Sequence, residues 1–163
     1  MRLSKKGAIH LMFLVGIIMY VGGILSHIVI GNVFNHDDIH ALYYMAIYKE
    51  QSAYILIVPG LILKLLATFM ESKQYKVKPT WLKVQYACMT FLTINALVFL
   101  VPMMPELTAL SAQNIELGYI TNVYKETANK EMFIGISNAL PLLIMVVLSG
   151  FGPTLYEGKS NNS

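Results

Sequence analysis

A chain of 163 residues that is 56% hydrophobic and 13% charged carries about half the charge of an average soluble domain, where the share is ~25%. One small core cannot hide that apolar excess, so it faces lipid, and the composition argues against a free-standing soluble enzyme. The net charge of +3 is scattered rather than clustered, which leaves no basic surface for nucleic acid, and the lone Cys88 excludes an internal disulfide.

The chain starts with Arg2, Lys5 and Lys6 ahead of an apolar run, as a signal peptide does. The run extends over residues 8–30 and meets no small-x-small cleavage motif, so a retained first helix is expected. A hydrocarbon core takes about 20 apolar residues to cross. Four stretches satisfy this: 8–30, 53–70, 81–101 and 132–151. The expected fold is a single all-α domain, an integral membrane four-helix bundle with short interfacial helices in its two outer loops.

At ~100° per residue, Gly16, Tyr20, Gly23 and His27 share one face of helix 1. Small residues there point to close packing, with His27 inside the bundle near its outer end. His10 lies about 25 Å away along the axis at ~1.5 Å per residue, so the two histidines cannot ligate one centre. The first outer loop predicts a short helix over residues 37–48, rich in interfacial aromatics.

Helix 2 carries a small and polar stripe of Ala53, Gly60, Lys64, Ala67, Thr68 and Glu71. Lys64 is expected to snorkel to the inner interface. Trp81, Gln85, Cys88 and Asn95 share a face of helix 3, and Pro102 with Pro105 is expected to end it. Beyond the prolines, Leu107, Leu110, Ile115, Tyr119, Ile120 and Val123 predict helix lying against the outer surface. Helix 4 brings Asn138, Pro141 and Ser149 to one side.

Orientation follows from the basic residues. Lys73, Lys76, Lys78 and Lys83 flank the loop between helices 2 and 3, and Lys159 follows helix 4. The opposite side holds only Lys49, Lys125 and Lys130 among seven carboxylates, Asp37, Asp38, Glu50, Glu106, Glu116, Glu126 and Glu131. The expectation is a multi-pass protein of the inner (plasma) membrane with both termini cytoplasmic.

Two groups of residues have the makings of chemistry. His36-Asp37-Asp38-Ile39-His40 places histidines at i and i+4, a spacing that lets two imidazoles bind one ion on a helix. His27 is the expected third nitrogen and Asp37 a further ligand, for zinc or copper; the alternative is that Asn35 or Asp37 simply caps the short helix. On the inner side His10, Lys64, Glu71, Lys83 and Gln85 gather, and a helix-1 histidine there suits either headgroup contact or an axial bond to haem. No Cys-x-x-Cys, phosphate-cradling glycine loop or ordered hydrolase triad occurs.

The segments Ala8-Ile9-His10, Val21-Gly22-Gly23, Ile57-Val58-Pro59-Gly60 and Trp81-Leu82 resemble the membrane superfamily of the HemJ protoporphyrinogen oxidases and copper-resistance D proteins, and within it a branch of uncharacterised integral membrane proteins of similar length. The resemblance implies haem b bound through His10. It also implies a lysine in the pattern Trp-Leu-x-x-Lys, where this chain has Gln85. Lys83 stands two residues earlier, about 200° around the helix. Haem would then serve electron transfer or ligand sensing, with Lys64 and Gln85 meeting its propionates or sixth position.

Three functions are thus expected of a small bacterial inner-membrane protein. It is a haem-binding, redox-related protein through His10; or a non-catalytic small subunit, with the lipid bilayer and other membrane subunits or further copies of itself as partners; or a copper or zinc accessory through His27, His36 and His40.

Overall fold

A computed structural model describes the backbone of residues 5–34, 37–73 and 75–160. It is all helical across those ranges apart from short turns: α1 (Lys5–Val33), α2 (Ile39–Ser52), α3 (Val58–Ser72), α4 (Thr80–Ile94), α5 (Val101–Leu117), α6 (Asn122–Ser137) and α7 (Ala139–Ser160). Four stretches are each long and apolar enough to cross a membrane: Gly7–Val33, Ile39–Ser72, Thr80–Leu117 and Asn122–Phe151. Their outer faces carry the apolar surface that the composition demands, Ile18, Ile55, Phe91 and Leu143 among it.

The second and third of these stretches run without a break for 34 and 38 residues, about 50 Å or more at ~1.5 Å per residue. A hydrocarbon core is ~30 Å thick. The outer segments therefore prolong the spanning helices instead of starting anew. Pro102 and Pro105 do not end helix 3, contrary to expectation: α5 begins around the first and contains the second. The reason lies just upstream. A proline ring clashes with the carbonyl four residues before it and offers no N–H to the ladder. Pro59 and Pro102 are each preceded by a π-helical turn, Ala53–Ile57 and Asn95–Leu100, and those turns contain the carbonyls concerned, of Ile55 and Val98. The wider π turn absorbs the clash without stopping the helix. Pro141 stands likewise to Ser137, the last residue of α6, with Asn138 as the one-residue step to α7.

Side chains knit these interruptions together. Asn95 Nδ2 donates to Asn138 Oδ1 at 2.8 Å and to Ser137 Oγ at 3.2 Å. His27 Nε2 bonds Ser52 Oγ, which sits at the edge of the first π turn.

Packing divides at this level. In the half that holds both termini, α1 lies against α3 and α4 against α7. The α1–α3 contact is a backbone approach: a Cβ on Gly60 would lie 2.6 Å from Tyr20 N, and one on Gly16 would lie 2.7 Å from Lys64 N. Tyr20, Leu61, Met89, Leu92, Ala96 and Met145 fill the core beside it. In the distal half α2 packs on α5 and α5 on α6, around Leu42, Met45, Leu107 and Tyr124.

Local signals at the distal end are explicit. Asp38, one residue beyond the expected cap, begins α2 by accepting from His40 N at 2.9 Å and Ala41 N at 3.3 Å. Gly118 ends α5 at φ 73°, a left-handed position that favours glycine. Thr121 then starts α6, its own N–H held by Asn114 Oδ1 at 3.0 Å. Lys49 and Glu131 form a 2.8 Å ion pair between α2 and α6.

Candidate functional site

Helical periodicity turns Lys64 and Thr68 onto one face of α3, and Trp81 and Gln85 onto one face of α4. The spacing in both cases is i, i+4. In the antiparallel pair, Lys64 comes level with Gln85, and Thr68 and Trp81 lie one turn nearer the terminal end. Ser149 of α7 joins them from the third side. Lys64, Thr68 and Gln85 are all 0% exposed and Trp81 is 9% exposed.

Ser149 organises the centre. Its hydroxyl donates to the carbonyl of Met145 at 2.6 Å, so its lone pairs are free to accept. Lys64 Nζ approaches at 3.0 Å and Gln85 Nε2 at 3.3 Å. The ammonium also sits over the ring of Phe13 on α1, 3.1 Å from its centroid, a cation–π contact. α1 and α7 thus meet the cation of α3 directly, and α4 joins them through Ser149. Among the described residues the ion pair found is Lys49–Glu131, and no carboxylate lies within ion-pair range of Lys64. Glu71, two turns along α3, is within electrostatic reach of both Lys64 and His10.

Three further buried atoms here have no hydrogen-bond partner: Thr68 Oγ1, Trp81 Nε1 and Gln85 Oε1. Around Lys64 the uncommitted groups are therefore mostly donors, with one acceptor. The cluster occupies the seam between the α1/α3 pair and the α4/α7 pair, where α3 and α4 touch only sparsely. Tyr86 Oη, at 3.4 Å from the Thr68 carbonyl, is one of the few links across it.

Lys64 does not snorkel. It is two turns from the end of α3, about 12 Å at ~1.5 Å per residue, farther than its four-methylene stem reaches. The bare backbone of Gly16 brings α1 close over it. Lys64 and Gln85, expected near one another, do meet, through Ser149. His10 does not join them. It is exposed on α1, about 120° around the helix from Gly16. The imidazole and the residues meant for the propionates therefore face different surroundings within one chain. They do not fit a haem slotted between these helices.

The distal histidines separate as well. His27 is level with Ser52, its hydrogen-bond partner, and packs edge-on against Tyr48. His40 is exposed in the first turn of α2, twelve residues and about 18 Å along that helix from Ser52 at ~1.5 Å per residue. His27 and His40 therefore cannot share an ion. His36 lies outside the described residues, and Asp37 is exposed in the turn before α2. Among the described residues no three His, Cys, Asp or Glu side chains gather in a metal-holding group.

Phe13 and the unpartnered Thr68 and Trp81 were not legible as a site in the sequence. The i, i+4 pairing of polar residues on helices 2 and 3 was the available signal. Compared with protein families, with curated proteins and with solved structures, the chain matches none.

Proposed function

We propose that this protein is a binding protein of the plasma membrane, with both termini cytoplasmic, that holds an anionic group in the seam at Lys64. The observation that carries this reading is a fully buried ammonium held by a hydroxyl and a ring from two other helices, with no carboxylate within ion-pair range among the described residues. A cation inside a membrane bundle is costly and marks a functional position by default. Uncommitted donors at Thr68 and Trp81 add to its affinity for oxyanions.

The lysine-rich terminal end supports entry from the cytoplasmic side, since the seam is loosest in that half. Binding rather than catalysis is favoured because, among the described residues, no nucleophile–base pair accompanies the lysine.

The test is a thermal-stability titration of the full chain in neutral detergent, with anionic and zwitterionic amphiphiles of equal chain length. Anionic ones should stabilise the wild type, and Lys64→Met should weaken that binding by ~10- to 100-fold, the worth of one charge-assisted hydrogen bond. Equal responses to both headgroups would overturn the proposal. On the same preparation, a haem absorbance band lost in His10→Ala would restore the haem expectation.

A further inference from the structure

Around Lys64 the uncommitted atoms are unequal in kind. Thr68 Oγ1 and Trp81 Nε1 are unpartnered and can donate, and Lys64 Nζ has N–H groups beyond the one given to Ser149, whereas Gln85 Oε1, unpartnered and equally buried, can only accept. A fully ionised oxyanion has no proton to give and leaves that carbonyl oxygen unpaired. An unpaired buried acceptor carries the full cost of its desolvation. A ligand that satisfies the whole set has anionic oxygens beside a hydroxyl.

The geometry also orders the two parts. Lys64 and Gln85 share a level on either side of Ser149, and Thr68 and Trp81 lie one turn toward the terminal end. A tetrahedral or planar oxyanion reaching from Lys64 to Thr68 and Trp81 leaves the neighbouring hydroxyl opposite Gln85.

We infer that the seam selects a hydroxyl-bearing oxyanion, the chemistry of a glycerol phosphate group, with Lys64, Thr68 and Trp81 binding the anionic oxygens and Gln85 Oε1 accepting from the hydroxyl. This rests on the anion-binding reading above and adds Gln85 as its specificity-determining residue. The group has two sources, a phosphatidylglycerol headgroup from the bilayer or free glycerol phosphate from the aqueous side.

The experiment uses the delipidated full chain in neutral detergent. Stabilisation is titrated at pH 8 with phosphatidylglycerol, phosphatidylmethanol and phosphatidylcholine of one acyl composition, and separately with glycerol phosphate and sulfate. The expected result is a preference of ~5- to 10-fold for the hydroxyl-bearing member within one series, the worth of one buried hydrogen bond. The series that shows it identifies the source. Gln85→Leu should abolish the preference while leaving binding of the plain oxyanion in place, and Lys64→Gln should remove both. Because Gln85→Leu also removes an amide donor to Ser149, Gln85→Glu is the second variant: its carboxylate keeps an acceptor but repels the anion, so it should weaken both members together. Plain and hydroxyl-bearing oxyanions binding equally through Lys64 would overturn this inference and leave the anion-binding reading standing. No oxyanion binding in either series would overturn both, and water would then be the partner of these atoms.

Discussion

Taking an ammonium out of water costs several kcal/mol unless another charge or a set of hydrogen bonds replaces the solvent. Lys64 recovers part of that cost from Ser149 and the Phe13 ring. A lysine kept only for packing is better replaced by a residue of the same shape without charge. Lys64→Met should therefore raise the ligand-free melting temperature, by the equivalent of ~1–4 kcal/mol. A melting temperature lowered by that substitution in delipidated protein would mean that the ammonium is already satisfied within the chain. Gly60 makes the opposite case. A methyl group there meets the backbone of Tyr20 at 2.6 Å and Met19 Cβ at 2.9 Å, so Gly60→Ala must push α1 off α3. The expected loss is ~1–3 kcal/mol, the usual cost of overpacking, read as a lower melting temperature. Gly22, which faces open space, is the control and should tolerate alanine.

The elements show how far periodicity carries a reading. The buried faces of α1 and α3 were legible because Gly16, Tyr20 and Gly23, and Gly60, Lys64, Ala67 and Thr68, recur at helical spacing. The fate of Lys64 was not legible, since snorkelling depends on its height in the bundle and on α1 covering it. The prolines misled for a related reason. Pro102 breaks an α-helical ladder, but the π turn over Asn95–Leu100 lets the helix pass, and the spacing of apolar residues gives no sign of one extra residue per turn. His10 lies about 120° from the packed Gly16 face, as its spacing implied, and it turns outward. Between elements, Lys49 and Glu131 join α2 to α6 with side chains 14% and 13% exposed. Largely shielded from solvent, the pair should exceed an exposed ion pair. A double-mutant cycle through Lys49→Met and Glu131→Gln should give a coupling of ~1–2 kcal/mol. A coupling near zero would make the distal contact incidental to holding α6.

At the scale of the molecule, the terminal half has two helix pairs with a polar seam, and the distal half has a second core. With stretches of 34 and 38 residues, about 20 Å of helix projects past a ~30 Å hydrocarbon core. With both termini cytoplasmic, as proposed from the lysine asymmetry, that projection lies outside the cell. Reporter fusions after Ser72 should read cytoplasmic and fusions after Tyr119 external; a cytoplasmic signal after Tyr119 would reverse the topology and move the mouth of the seam to the other side of the membrane.

The central claim, an oxyanion held at Lys64, is tested most directly by native mass spectrometry of the full chain released gently from its membrane. The wild type should retain an anionic molecule of defined mass at one equivalent, and Lys64→Met, with the same helical content and a single elution peak, should lose it. Identical adducts on both proteins, or none on the wild type, would contradict the account.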